Sequence, residues 1–216
     1  MSIGRSTKIS GRLLCKMTKI QVSHILRLKL YKNFDIIIIE REVSKMARLK
    51  GTKKLNKVIT NQLKTFGIEK AKLDEEFALY YEKNKVCYKL VYNEVDKWFN
   101  DCIKEIFGYE VEYTFIISLL HEIGHLNTID DLTEKEYNKC LKAKEKISKQ
   151  LAEKITPEKE KQLNYTYFLL EDEYRATEWA INYAKKHPKK IRKMWHKILP
   201  AIMEFYKKNG VTEETA

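Results

Sequence analysis

The run His121-Glu122-Ile123-Gly124-His125 joins two imidazoles and a carboxylate at a spacing that does chemistry on a helix. Residues i and i+4 of an α-helix lie about 40° apart around the axis, so both histidines leave one face. Two ring nitrogens so placed can reach a single Zn2+ at roughly 2.0–2.1 Å. Glu122, one residue further on, stands beside such an ion, where it can take a proton from water without being a ligand. The flanking Leu119, Leu120, Ile123, Gly124 and Leu126 carry no charge, as a buried ligand helix requires. A core helix with two incidental histidines would still have to satisfy them among apolar neighbours. A metal does so directly, and His121 and His125 are the expected ligands.

A catalytic zinc takes three protein ligands and keeps a position for water. Asp131, six residues past His125, is one candidate, although Asp130-Asp131 also reads as a loop ahead of the next helix. The stronger candidate lies in the stretch Leu170 to Ala180. Glu173, Ala176 and Ala180 share one helical face there, with Trp179 beside them. A carboxylate among small residues can pack closely on a neighbouring helix and reach its face. Glu171, Asp172 and Glu178 read as exposed acids of an amphipathic helix.

The HEIGH motif at 121–125, followed by Glu-x-x-Ala-x-x-Trp-Ala at 173–180, resembles the HExxH zincin metallopeptidases. The nearest likeness is to the ImmA/IrrE-type branch and the phage zincin-like families. It covers about residues 85–185, and the first motif is the specific one. The resemblance implies a zinc cofactor held by His121, His125 and Glu173, with Glu122 as general base. It also implies a cytoplasmic hydrolase acting on a protein or peptide, often a regulator in a phage or mobile element. A second zincin branch has its third ligand at the position of Asp131, but that branch places Gly where this chain has Thr128. The chain departs from the pattern in a long charged insert, about residues 133–163, and in lacking an evident helix-turn-helix. An oxyanion donor is also wanted; Tyr165, Tyr167, Tyr174, His187 and His196 are the candidates.

The motifs need elements to hold them. Leu55, Val58, Ile59, Leu63 and Phe66 fall at helical spacing before Gly67, and a second helix is expected over about 70–83. Residues 86–92 are β-branched and aromatic enough for a strand. Asn93 and Asp96 suggest a cap for a helix ending at Gly108, and 109–115 alternates like a short strand. Residues 114–126 are apolar nearly all round, the mark of a central helix. Thr133 with Glu136 caps a Lys/Glu-rich helix to about 154, and Thr156-Pro157 opens another. Helical pattern then occupies 171–186 and 190–208, closed by Asn209-Gly210. The expected class is α+β, predominantly helical and zincin-like. A small antiparallel sheet beside the HEIGH helix is implied by the resemblance.

Composition bounds the rest. The 216 residues, 44% hydrophobic, suit one domain, and three Pro with seven Gly argue against an all-β chain. Cysteines at 15, 87, 102 and 140 form no CxxC pair, so reduced thiols in a cytoplasmic protein are expected rather than disulfides or a zinc ribbon. The net charge of +12 is uneven: residues 1–60 hold 15 Lys/Arg against 3 Asp/Glu, and residues 61–216 hold 27 of each. That reads as a basic extension rather than a basic face. Arg41 to Met46 can be encoded by a purine-rich, ribosome-binding-like string ahead of an ATG. Residues 1–45 are therefore expected to be translated leader, with a single metallopeptidase domain over 46–216. Ile36 to Ile39 is the longest aliphatic run, far below the roughly 18 residues that cross a bilayer. The other function class is a binding module without catalysis. In it zinc is structural, and the basic segment holds nucleic acid or protein. Lys45 to Lys57 contains no aromatic residue, so nucleic-acid binding there would be electrostatic. The peptidase reading is preferred.

Overall fold

The computed structural model describes residues 49–74, 77–80, 83–90 and 94–210. The proposed leader 1–45, the start at Met46 and the cap at Asn93 lie outside them.

Helix α1 (Thr52–Leu63) buries Leu55, Ile59 and Leu63 along one stripe and passes through a 3-10 turn to Gly67, whose φ of 81° ends it. A three-stranded sheet follows: β1 (Lys70–Leu73), β2 (Ala78–Tyr80) and β3 (Lys85–Tyr88), in the order β1-β3-β2. Strand β3 is central and buries Val86, Cys87 and Tyr88. It runs parallel to β1, with Ala71 opposite Val86, and antiparallel to β2, with Leu79 opposite Val86.

Two expectations are corrected here. The helix expected over 70–83 is a pair of strands, and the sheet is mixed rather than antiparallel. Lys, Ala and Leu favour helix in isolation, but Ala71 and Leu73 are buried while Lys70 is exposed, the two-residue period of a strand. Tertiary pairing overrides propensity. Side chains of α1 hold the outer edge of β1. Thr60 Oγ1 accepts from the Ala71 N–H (2.8 Å), and Asn56 Oδ1 accepts from the Leu73 N–H (2.9 Å) and the Tyr88 hydroxyl (2.6 Å). Those N–H groups would otherwise be an open pairing edge.

Helix α2 (Glu94–Phe107) ends at Gly108, and residues 109–113 are irregular rather than a strand. The Tyr113 carbonyl accepts from Ile116 and Ile117 N–H (both 3.0 Å), which opens α3 (Thr114–Thr128). This is the central helix: Ile116, Ile117, Leu119, Leu120 and Ile123 are all buried. Its first turn meets the sheet through Phe115, which lies 6.0 Å from Phe77 and 5.9 Å from Tyr88 between ring centroids. The sheet therefore stands beside the HEIGH helix.

Four helices complete the fold. Helix α4 (Glu134–Leu151) opens on the expected Thr133/Glu136 capping box, and α5 (Pro157–Phe168) on a Thr156 cap with Pro157 in the first turn. These two, the charged insert of the sequence, pack on α2 in a second apolar cluster that includes Cys102, Ile147, Leu151, Leu163 and Phe168. Helix α6 (Glu171–Lys186) lies against α3, and α7 (Pro188–Asn209) closes on Gly210 at φ 71°. Helices α7 and α1 pair antiparallel: Glu204 bonds Lys54 at one end, and Lys190 reaches Thr65 (3.5 Å) at the other. Among the described residues no helix is long and apolar enough to cross a membrane. Cys87, Cys102 and Cys140 are buried free thiols.

Candidate metal centre

Helix α3 carries His121 and His125 one turn apart, and α6 lies against that face. The approach is close because Gly124, between the histidines, has no side chain. A Cβ there would lie 2.3 Å from the Ala176 carbonyl oxygen and 2.9 Å from the Ala176 Cα. Ala176 is itself small, and Glu173, one turn before it, is carried onto the histidine face. The Ala-lined register read from the sequence is thus the helix contact itself.

The ligand-type atoms of His121, His125 and Glu173 all lie within 4.8 Å of one another, and this buried group could hold a metal ion. His121 Nε2 is 3.1 Å from Glu173 Oε2, and His125 Nε2 is 3.6 Å from Glu173 Oε1. Glu173 is 2% exposed. Burial alone would raise its pKa, but Lys144 and the two histidines hold it well below the usual carboxylate range.

Hydrogen bonding fixes how His121 presents itself. The Thr177 hydroxyl donates to the Glu173 carbonyl oxygen (2.8 Å), so Thr177 Oγ1 is the acceptor for His121 Nδ1–H at 3.0 Å. With Nδ1–H committed to Thr177, His121 turns Nε2 toward a carboxylate oxygen 3.1 Å away, and without a second proton that nitrogen presents a lone pair. Two lone pairs at that distance repel unless positive charge lies between them. A shared proton would serve one such contact. His125 brings a second nitrogen to the same carboxylate, so a metal ion serves all three donors. The threonine is also the kind of outer partner that orients metal-bound histidines.

Behind the carboxylate stands a group that sequence reasoning missed. Lys144 of α4 is fully buried and pairs with both Glu173 Oε1 and Asp172 Oδ2. The Tyr167 hydroxyl of α5 donates to the same Glu173 Oε1 at 2.9 Å. Burial opposes the Lys144 charge, yet Glu173, Tyr167 and Asp172 raise its pKa well above normal. Burial raises the Tyr167 hydroxyl likewise, with Glu173 adding to it. Two carboxylates against one ammonium leave one negative charge uncompensated beside two imidazoles, and Asp172 Oδ1 is buried with no hydrogen-bond partner. A cation fits this balance. The signal for Lys144 was its register: Cys140, Lys144, Ile147 and Leu151 form the buried stripe of α4. For Thr177 it was the i,i+4 relation to Glu173.

The remaining candidates fall elsewhere. Asp131 is exposed on a 3-10 turn after α3, outside the three-residue group, and its carbonyl oxygen accepts from Arg175 (3.0 Å). Asp172 corrects an expectation: it is buried rather than exposed, because Lys144 is its counter-ion. Glu171 and Glu178 are exposed as expected. Glu122 is 6% exposed on α3. Of the oxyanion candidates, Tyr167 is committed to Glu173 and Tyr174 packs on Phe107 with ring centroids 4.8 Å apart. His187 lies against Tyr183 (4.5 Å), His196 is exposed and Tyr165 is half-buried. Phe168 and Phe99 rings stand 6.1 and 6.5 Å from the His121 ring, on α5 and α2 respectively.

No protein-family model, curated protein or solved structure matches this chain.

Proposed function

We propose that the chain is a zinc-dependent endopeptidase. The observation that carries this is the convergence of His121, His125 and Glu173, with the Nδ1 proton of His121 committed to Thr177. The donor set, two imidazole nitrogens and one carboxylate, is that of a hydrolytic zinc site. Among the described residues no fourth His, Cys, Asp or Glu joins the group, which favours a catalytic site over a closed structural one.

A zinc ion held by these three residues would polarise a scissile carbonyl and lower the pKa of water toward neutrality. The chain's own residues do the rest. His121 and His125 fix the site on one helix face, and Thr177 holds the first ring in its tautomer. Tyr167 and Lys144 occupy Glu173 Oε1, leaving Oε2 turned to His121. Glu122, adjacent in sequence to His121, takes the proton of the attacking water and delivers it to the departing amine. Strand β2 has no strand on its outer side among the described residues, and that edge suits an extended peptide. That the target is a regulator of a phage or mobile element rests on the resemblance of the two motifs alone.

The test is cleavage of an internally quenched, mixed-sequence peptide library by zinc-loaded protein, beside Glu122→Gln. The expected result is hydrolysis by the parent, and its loss in the variant with zinc content unchanged. Hydrolysis retained by Glu122→Gln refutes the base assignment, and a zinc-loaded parent that cleaves nothing refutes the peptidase reading.

A further inference from the structure

The even charge balance over residues 61–216 conceals a segregation that the fold makes visible. Residues 49–67, which contain α1, hold five Lys and no acid. Helix α7 holds seven Lys/Arg and one acid, Glu204. Helices α1 and α7 pack side by side, so these two stretches form one face. Its single carboxylate is already engaged by Lys54 and Lys208, which together push its pKa down to about 2. Lys53 and Lys57 on α1, Lys64 in the turn that follows it, and Lys189, Arg192, Lys193 and Lys197 on α7 are exposed. The compensating acids lie on other elements. A single-sign surface of this size stores self-repulsion that a polyanion relieves.

The geometry points to the α1–α7 face as a docking surface for the phosphate backbone of duplex nucleic acid. Helix α7, at about 1.5 Å per residue, is long enough to follow many phosphates, since duplex DNA carries one charge per roughly 1.7 Å. The aromatic residues nearby are occupied: Trp195 lies half-buried against Tyr113 (6.0 Å), and Tyr183 stacks on Trp179 (5.3 Å). Stacking of unpaired bases is therefore not offered, and contact is to phosphates, independent of sequence. None of these basic residues belongs to the His121, His125 and Glu173 group, and the binding does not depend on the peptidase reading.

The experiment is fluorescence anisotropy of a labelled DNA duplex of about 20 bp, with the full chain, across roughly 50 to 200 mM salt. Two variants carry the same change of net charge. One replaces Lys189, Arg192, Lys193 and Lys197 of α7 by Gln. The other replaces the exposed Lys135, Lys139, Lys142 and Lys146 of α4 by Gln. The parent is expected to bind with affinity falling about a hundredfold over that salt range, as four phosphate contacts require. The α7 variant is expected to bind at least tenfold more weakly with a shallower salt slope, and the α4 variant like the parent. No binding by the parent at the lowest salt overturns the proposal. An α7 variant equal to the parent does so too, assigning binding to residues 1–48, as does an equal loss in both variants. Preference for phosphatidylserine vesicles over the duplex replaces nucleic acid by a membrane surface and equally overturns it.

Discussion

Gly124→Ala tests how the metal centre is positioned. The added Cβ would lie 2.3 Å from the Ala176 carbonyl oxygen, and side-chain carbons in proteins stay beyond 3.0 Å, so α3 and α6 must separate by at least 0.7 Å. The atoms in the way are backbone, so no rotamer change relieves the overlap. Overpacking of this kind costs about 3 kcal/mol at its upper end. Alanine returns about 1 kcal/mol through its helix propensity. The net expectation is a loss of about 2 kcal/mol. The effect on the metal is sharper. Glu173 sits one turn from Ala176 on the same helix and moves with it, and coordination tolerates only about 0.2 Å. Zinc affinity is expected to fall at least tenfold. Urea unfolding of chelator-treated protein measures the first quantity, and competition with a chromophoric chelator measures the second. A variant with the parent's unfolding midpoint and the parent's zinc affinity would show that the Gly124–Ala176 contact does not set the site.

Lys144→Met should bind zinc at least tenfold more tightly than the parent, because the ammonium and the metal draw on the same Glu173 carboxylate. Unchanged or weaker binding by chelator competition contradicts that. Since the substitution leaves Asp172 buried without its counter-ion, the double variant with Asp172→Asn is the companion if the single one does not fold. Thr177→Val removes the acceptor for His121 Nδ1–H and should cost about 10–100-fold in zinc affinity, read by the same competition; no change means that another group orients the ring. Glu204, held by Lys208 and Lys54, should titrate near 2 when its side-chain carboxyl is followed by NMR. Its pKa is depressed, so its contribution to the α1–α7 pairing is present above the ordinary carboxylate range and is lost as pH falls toward 2. An ordinary midpoint would mean that these ion pairs do not persist in solution.

The grouping of His121, His125 and Glu173 was the most legible part of the sequence. The i,i+4 histidines and the small residues after Glu173 are local patterns, and local patterns survive without knowledge of the fold. The capping box at Thr133 and the N-cap at Thr156 were readable for the same reason. The Lys70–Leu73 segment was not, because its residue types favour helix and only pairing with β3 makes it a strand. Lys144 and Asp172 were missed because charged residues default to the surface. Lys144 is buried against Asp172 and Glu173, which lie 28 and 29 residues further along the chain on another helix. The basic face was hidden by averaging: its lysines are separated in sequence and joined by the antiparallel packing of α1 and α7, while the balancing acids sit elsewhere.

The central claim is that His121, His125 and Glu173 bind one metal ion. Zinc per chain, measured on the purified full chain beside Glu173→Ala, tests it most directly. The account predicts one zinc per chain in the parent and a large loss in the variant. Zinc retained in full by Glu173→Ala, or a parent that takes up no divalent metal, would contradict it.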